Sequence, residues 1–465
     1  MNIKSLSPEV RHIWRVAKVV QGVMGFTMGL YVFTYGPLFY EKLSHASDPK
    51  LGMTLTTLWF AIMTALITFL EVPTGAIGDV IGRKWTVVWS FVCRMCFFIF
   101  LAAISFSQSI TLVLTLGIIA ALFFGFSYTF FSGTFTAWCV DSLRERAPDI
   151  GYEHLLSRSY TYNFLAQILG GILGVLFYVW HIPYVGFLIG ALSCMVCVAF
   201  CLGEMEEVKN IQFLEHKTVS LTVITRRIGE ILGVGFQVFS KSSVILSLTL
   251  VFASYMFVVN IVDYLWPVYL RTRVPTNIQT SLWIGLVVAI LLVSTLGSHT
   301  LTLWTRRWHK KNGARTHNTV LRRWFIATSL FAALPILTLS WLTARGLDTF
   351  WYFTFAILAV EYAYGVIAPC YETLVNNYIP EEHSQQRATI MSFGSLMRSL
   401  LVMLLAIPAG GTSGAKTTIG WAIPAFLLLA SAIIGNFVLK RAQRKTLCAT
   451  ELPPQPLASP ILEKE

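Results

Sequence analysis

Glu361, Glu372, Arg398 and Asp263 stand inside long apolar runs of this sequence. A charged side chain at the centre of a hydrocarbon layer costs about 2.5–3.5 kcal/mol on insertion scales, so such residues are paired or functional. Gly365, Ala368 and Glu372 follow Glu361 at steps of four, three and four, which places the two acids on nearly one helix face and marks that face as a path for a proton or a polar solute. Arg398 could hold Glu361 ionised or grip an anionic group through two parallel N–H donors, and a purely structural Glu361–Arg398 bridge is the alternative. Asp263 shares a face with Met256, Asn260 and Pro267. It reads as a second proton site or as a solvated residue at the mouth of a bundle. Tyr160, Asn163 and Gln167 recur at i, i+3 and i+7, forming a polar stripe that suits either a cavity wall or interhelical hydrogen bonds. Gln21, Tyr31 and Tyr35 would complete such a cavity. Glu71 and Arg94 fall at similar depth, about 10–12 Å from one surface at 1.5 Å per residue, and are expected to form a structural ion pair.

Other chemistry is not expected. No nucleophile, base and orienter set stands out, nor does a glycine loop ending in GKS or GKT, so neither an enzyme nor an ATP-driven pump is predicted. Cys93, Cys96, Cys194, Cys197 and Cys201 lack His or carboxylate neighbours on their faces and read as small packing residues, with no metal and no cofactor implied.

The elements that must position these residues are spanning helices. Of the 465 residues 55% are hydrophobic and only 12% charged, half the usual charged share of a soluble domain. Mean hydropathy is +0.66. Apolar runs of about 20 residues or more predict spans at 13–40, 53–78, 86–107, 110–140, 152–180, 183–203, 243–270, 281–304, 325–343, 349–378, 388–409 and 418–439. The first is too long for the core of a cleavable leader and is expected to stay as a helix. Lys42, Lys50, Arg271, Arg273, Arg345 and Lys416 fall in the loops of one side, Arg94 and Arg398 lie within spans, and the remaining Lys and Arg lie on the other side. This asymmetry predicts an all-α integral membrane protein of twelve helices with both termini cytoplasmic. It also accounts for the net charge of +12 through anionic lipid, with no nucleic acid required. The predicted organisation is a six-helix half at 1–203, a linker at 204–242, a second six-helix half at 243–439 and a basic, then Pro-rich, disordered tail at 440–465. In the linker Leu221, Ile224, Ile228, Ile231, Leu232 and Phe239 oppose Arg226, Arg227, Glu230 and Lys241, which predicts a helix lying on the membrane surface, with a plain tether as the alternative.

One turn between spans is dense in special residues. Leu70 to Lys84 reads LEVPTGAIGDVIGRK, and Gly75, Asp79, Gly82, Arg83 and Lys84 occupy every marked position of G-x-x-x-D-x-x-G-R-K. This resembles the signature between the second and third helices of the major facilitator superfamily. Ser132 to Leu143, SGTFTAWCVDSL, and Arg387 to Leu396, RATIMSFGSL, resemble segments of one bacterial efflux-type branch, although Thr136 replaces that branch's usual Glu. The resemblance implies the major facilitator fold and a transporter in the bacterial inner membrane. It implies proton-coupled efflux of a small organic compound such as a drug, metabolite or siderophore, by a monomer. Uptake of an anionic metabolite is the alternative, and a transport-inactive sensor or assembly factor is an alternative of another class. The fourth span lacks the Arg of proton antiporters, and Ala166, Gly170, Gly171 and Gly174 match their glycine motif only loosely, reading better as close helix packing. Asp79 and Arg83 are expected to lock a gate at this end, with Asp141 as a partner for Arg83 and helix amides suited to Asp79.

Overall fold

The computed structural model describes residues 7–45, 49–132, 134–146, 152–207, 221–273, 276–312, 317–346, 350–379, 390, 393–404 and 417–450. Their regular elements are all helical: α1 (Pro8–Val32), α2 (Tyr35–His45), α3 (Pro49–Ile81), α4 (Arg83–Phe106), α5 (Ile110–Phe131), α6 (Thr134–Arg146), α7 (Tyr152–Val179) and α8 (Pro183–Glu204). Within the linker lies α9 (Leu221–Lys241), and after it come α10 (Ser243–Arg273), α11 (Thr276–Asn312), α12 (His317–Ala344) and α13 (Phe350–Tyr378). The last two are α14 (Phe393–Leu404) and α15 (Thr417–Thr450). Among the described residues 11 helical segments are long and apolar enough to span a membrane, with α1–α2 and α5–α6 each counted as one, and α14 is a shorter apolar helix in the place of the expected eleventh span. The chain is a multi-pass integral membrane protein. The expected boundary of the tail moves, because α15 continues as helix past Lys440 to Thr450.

Helix contacts fall into two groups. In the first, α1 packs on α7, α4 on α5 and α8, and α3 on α5; in the second, α12 packs on α13 and α15, α11 on α13, and α10 on α15. Without a hydrophobic drive between helices in lipid, close van der Waals contact must hold them. The α1–α7 contact shows how: a Cβ at Gly25 or Gly29 would strike the backbone of Asn163 or Gln167, and one at Gly170 or Gly174 would strike that of Phe26 or Leu30.

Tyr31 and Tyr35, expected in a cavity wall, are instead core residues. Tyr31 is 2% exposed and meets Tyr35, Phe97, Phe98 and Phe124 edge-on or nearly so at 5.0–5.9 Å. Tyr35 also packs on Trp59 and Phe60. These edge-to-face arrangements bury the rings against one another and leave them no face for a solute.

Contacts between the groups gather at the end away from Gly75–Lys84. There α2 meets α10 and α7 meets α11, Phe33 lies 5.8 Å from Trp266, and Tyr178 lies 5.4 Å from Trp283. The linker helix α9 packs on both α3 and α10, and its Phe239 lies 5.1 Å from Phe393 of α14.

Candidate functional site

Two polar clusters sit inside the helical bundle. The first joins α10, α11 and α13. The Ser294 hydroxyl lies 3.0 Å from the Glu361 carbonyl oxygen and 2.9 Å from its Oε2, and the Glu361 side chain hydrogen-bonds Asp263. Two carboxyl groups can share such a bond only when one of them carries a proton, since an ionised carboxylate accepts and does not donate. The site is held tightly: Gly365 abuts the α11 backbone at Ser294 and Ser298, and Tyr255 donates to the Val360 carbonyl at 2.7 Å. Asn260, one turn before Asp263, donates to its own helix at Met256 O, 2.7 Å away. Glu361 thus meets an acid and a hydroxyl rather than Arg398, and the bridge given as the alternative is not formed, because Glu361 turns toward α10 and α11.

The second cluster spans the two helix groups. Arg398 of α14 donates to Ser395 Oγ at 2.9 Å and lays its guanidinium 5.1 Å from the centre of the Phe252 ring. Phe252 stacks on Tyr371 at 4.2 Å, and the Tyr371 hydroxyl lies 3.1 Å from Thr249 Oγ1. From the other group comes Glu71, which approaches Ser395 and feels the charge of Arg398. Glu372, one turn after Ala368 on α13, also feels the charge of Arg398. The expected Glu71–Arg94 pair is thus corrected. Arg94 is 1% exposed, its Nε donates to Ser127 Oγ at 3.0 Å, and its Nη1 has no hydrogen-bond partner among the described residues. Similar depth was not enough; Glu71 faces the seam and Arg94 faces α5.

The end bearing Gly75–Lys84 is built around a residue not foreseen. Gly82 precedes α4 with φ 92°, a conformation costly for residues with a Cβ. That turn aims the first α4 amides outward, and the Glu207 carboxylate accepts from Arg83 N at 2.7 Å and Lys84 N at 3.1 Å. An anion at a helix N-terminus is favoured by the free amides and the helix dipole. Burial nevertheless raises the Glu207 carboxyl above its ordinary range, against the opposing pull of those amides and of the Arg83 and Lys84 charges. Lys84 Nζ donates to Leu202 O at 2.8 Å, and Arg83 Nε lies 3.7 Å from Asp141 Oδ2. Neighbouring acids tie the same segment to other helices: Glu206 pairs with Arg146 and accepts from Trp138 through its carbonyl at 2.8 Å, and Glu204 O lies 2.8 Å from His12 Nε2. Gly75 has open space where a Cβ would stand. The side chains of Asp79 and Tyr160 lie outside the described residues.

The remaining expected cavity residues serve the α1–α7 contact. Asn163 Nδ2 donates to Gln21 Oε1 at 2.9 Å and to Gln21 O at 3.1 Å, and both Gln21 and Gln167 are buried.

A family model described as Major Facilitator Superfamily matches residues 153–407, more than half of the chain. The chain belongs to the Major Facilitator Superfamily. It is a transporter of that superfamily, and its helices superimpose on those of solved members. The nucleoside transporter NupG matches with a TM-score of 0.64 at 13% identity, covering 92% of this chain and 99% of that one. A D-xylose-proton symporter matches with a TM-score of 0.64 at 14% identity, covering 92% and 97%. The human organic anion transporter MFSD10 matches with a TM-score of 0.59 at 17% identity, covering 92% and 100%. No curated protein matches the sequence. At these identities the likeness speaks for the superfamily fold alone.

Sequence reasoning missed the functional geometry of Glu71 and Glu207 in this superfamily member. For Glu207 a signal existed, since Glu204, Glu206 and Glu207 interrupt the basic side of the chain just after a span.

Proposed function

We propose that this chain is a proton-coupled secondary transporter that exports a small organic compound by alternating access between two six-helix halves, 1–203 and 243–439. The observation that carries the coupling is the Asp263–Glu361 acid pair with Ser294, a proton-holding site on three helices that must shift when the bundle rocks. A neighbour in fold is named for proton symport, which supports the proton coupling and not the direction of export. Export is the direction implied by the resemblance of 132–143 and 387–396, in a bacterial inner membrane with Gly75–Lys84 and both termini cytoplasmic and the protein acting as a monomer. In that orientation the contacts gathered at the other end make this a conformer closed to the outside. The linker helix α9 would then lie along the cytoplasmic surface.

The test is proton movement. Purified protein in liposomes containing a pH dye is challenged with nucleosides, pentoses, dipeptides, organic acids and ethidium under an imposed pH gradient. Solute-dependent proton flux is expected, and it should be lost in Asp263→Asn and Glu361→Gln. Absence of such flux with every class, or unchanged flux in both variants, refutes the coupling. Accumulation of the active solute in everted rather than right-side-out vesicles establishes export. Uptake of an anionic solute is the second reading, favoured by the position of Arg398 at the seam, and the opposite vesicle result supports it.

A further inference from the structure

Three helices of the second group carry an exposed apolar stripe that ends in a cation. On α12, Leu334, Phe331 and Ala327 lead at helical spacing to exposed Arg323; on α15, Phe437 leads to exposed Lys440 and Arg441; on α11, Leu303 and Trp304 lead to exposed Arg307. In a spanning chain such stripes face acyl chains. Two contacts show that the three cationic ends are neighbours. Arg322 Nη1 donates to the Leu439 carbonyl at 3.3 Å, which ties the first turns of α12 to α15 beside Lys440. Trp304 and Trp324 meet edge-on at 5.6 Å, which ties the same part of α12 to α11 one turn before Arg307. At about 100° per residue, Arg323 leaves α12 between the directions of Arg322 and Trp324 and opposite Leu321 and Phe325, both of which are buried. Its side chain therefore points outward, above the groove flanked by α15 on one side and α11 on the other. None of α11, α12 and α15 contains an Asp or Glu, so these cations have no acid on their own helices.

We propose that this outer face of α11, α12 and α15 is a binding site for an anionic phospholipid, with Arg323, Lys440 and Arg441 holding the headgroup phosphate and the acyl chains lying along the stripes. Charge complementarity names the headgroup, because basic pockets between spanning helices collect anionic lipid phosphates. The stripes name the rest of the molecule: a soluble anion would satisfy the cations but leave the apolar surface below them unused. Packed helices stand about 8–10 Å apart, a gap that long Lys and Arg side chains close from both sides. The Trp304–Trp324 pair lies at the level where amphipathic rings meet headgroups. Arg322 is a positioning residue. Its bond to α15 keeps Arg323 and Lys440 on one groove, which separates a built site from diffuse attraction between a basic surface and a membrane. The proposal needs only the multi-pass character of the chain and stands apart from substrate, coupling and direction of transport.

The test is lipid retention. The full chain, delipidated in detergent, is titrated with dioleoyl phosphatidylglycerol, dioleoyl phosphatidylcholine and glycerol phosphate, and bound molecules are counted by native mass spectrometry. Phosphatidylglycerol is expected to bind saturably and the other two at least about tenfold more weakly. The double variant Arg323→Gln with Lys440→Gln should weaken the tightest phosphatidylglycerol about 25-fold, fivefold for each cation removed. Removing equal charge elsewhere, as Arg11→Gln with Arg15→Gln on the exposed face of α1, should leave that lipid in place. The exchange Arg323→Lys with Lys440→Arg keeps both charges and should bind close to the native level, which answers the objection that the glutamine pair is misfolded. Equal loss in the two glutamine pairs would mean diffuse surface attraction and overturns the proposal. So does unchanged affinity in the Arg323 and Lys440 pair, or loss in the charge-keeping exchange. Phosphatidylcholine binding as tightly removes the role of the anionic headgroup, and glycerol phosphate binding as tightly makes the occupant a soluble anion; either result also overturns it.

Discussion

Replacing Glu207 tests whether a residue just beyond the sixth span organises the start of the third. In the native chain its carboxylate accepts two α4 amides at 2.7 and 3.1 Å. Glu207→Ala leaves both amides without that acceptor. Each hydrogen bond to a charged group contributes about 1.5–3 kcal/mol, but Glu207 is only partly buried and water can replace some of the loss, so a total near 3 kcal/mol is expected. Glu207→Gln keeps one carbonyl oxygen and turns an N–H toward the second amide, for about 1 kcal/mol. With an unfolding entropy of about 2.1 cal/mol/K per residue over the chain, 1 kcal/mol corresponds to roughly 1 °C in midpoint if the helices melt together. The alanine variant should therefore melt about 3 °C lower and the glutamine variant about 1 °C lower. The pH dependence adds a second check. Because burial raises the folded-state pKa, the folded protein holds this proton where the unfolded chain has lost it. Stability from this group is present below the unfolded pKa and is lost as pH rises through the raised folded value. Scanning fluorimetry of the three proteins from acidic to neutral pH should show a falling native curve relative to the glutamine variant. Alanine and native proteins melting together would falsify the capping role, and a native-minus-glutamine difference that rises with pH would contradict the raised folded-state pKa.

Gly82→Ala should cost about 1–2 kcal/mol in the same melts, because its φ of 92° disfavours a Cβ and that Cβ would fall 2.8 Å from the Glu207 carboxyl carbon. A neutral result would show that the turn relaxes freely. Gly170→Val, which drives a branched side chain into the Phe26 backbone, should sharply reduce the folded yield after detergent extraction; a native elution profile would count against close α1–α7 packing. Asp79→Asn should lower transport while leaving the protein in the membrane, and normal flux in proteoliposomes would remove its gating role. In the acid pair, Asp263→Asn and Glu361→Gln should each slow gradient-driven transport at least tenfold, as loss of a proton carrier requires, and the double variant should be no worse than either single one. Additive losses would mean that the two acids do not act as one site.

Much of this architecture was legible in the chain because a bilayer constrains a helix by composition alone. Apolar runs of adequate length had to span, and Gly82, Arg83 and Lys84 had to stand at a membrane surface. The glycines at 170 and 174 likewise announced a close helix contact through their size. Within one helix the spacing of Asn163 and Gln167 placed both on one face, and the folded bundle turns that face toward α1. Hydropathy could not say which embedded charges meet. Glu71 and Arg94 share a depth, yet rotation about each helix axis sends one to Ser395 and Arg398 and the other to Ser127. Glu361 and Arg398 sit on consecutive helices, yet Glu361 finds Asp263, nearly a hundred residues earlier in the chain. Periodicity reports neighbours on one helix and hydropathy reports depth. The partners of Glu71, Glu207 and Glu361 depend on helix rotation and on which helices pack together, and those are properties that only the folded bundle decides.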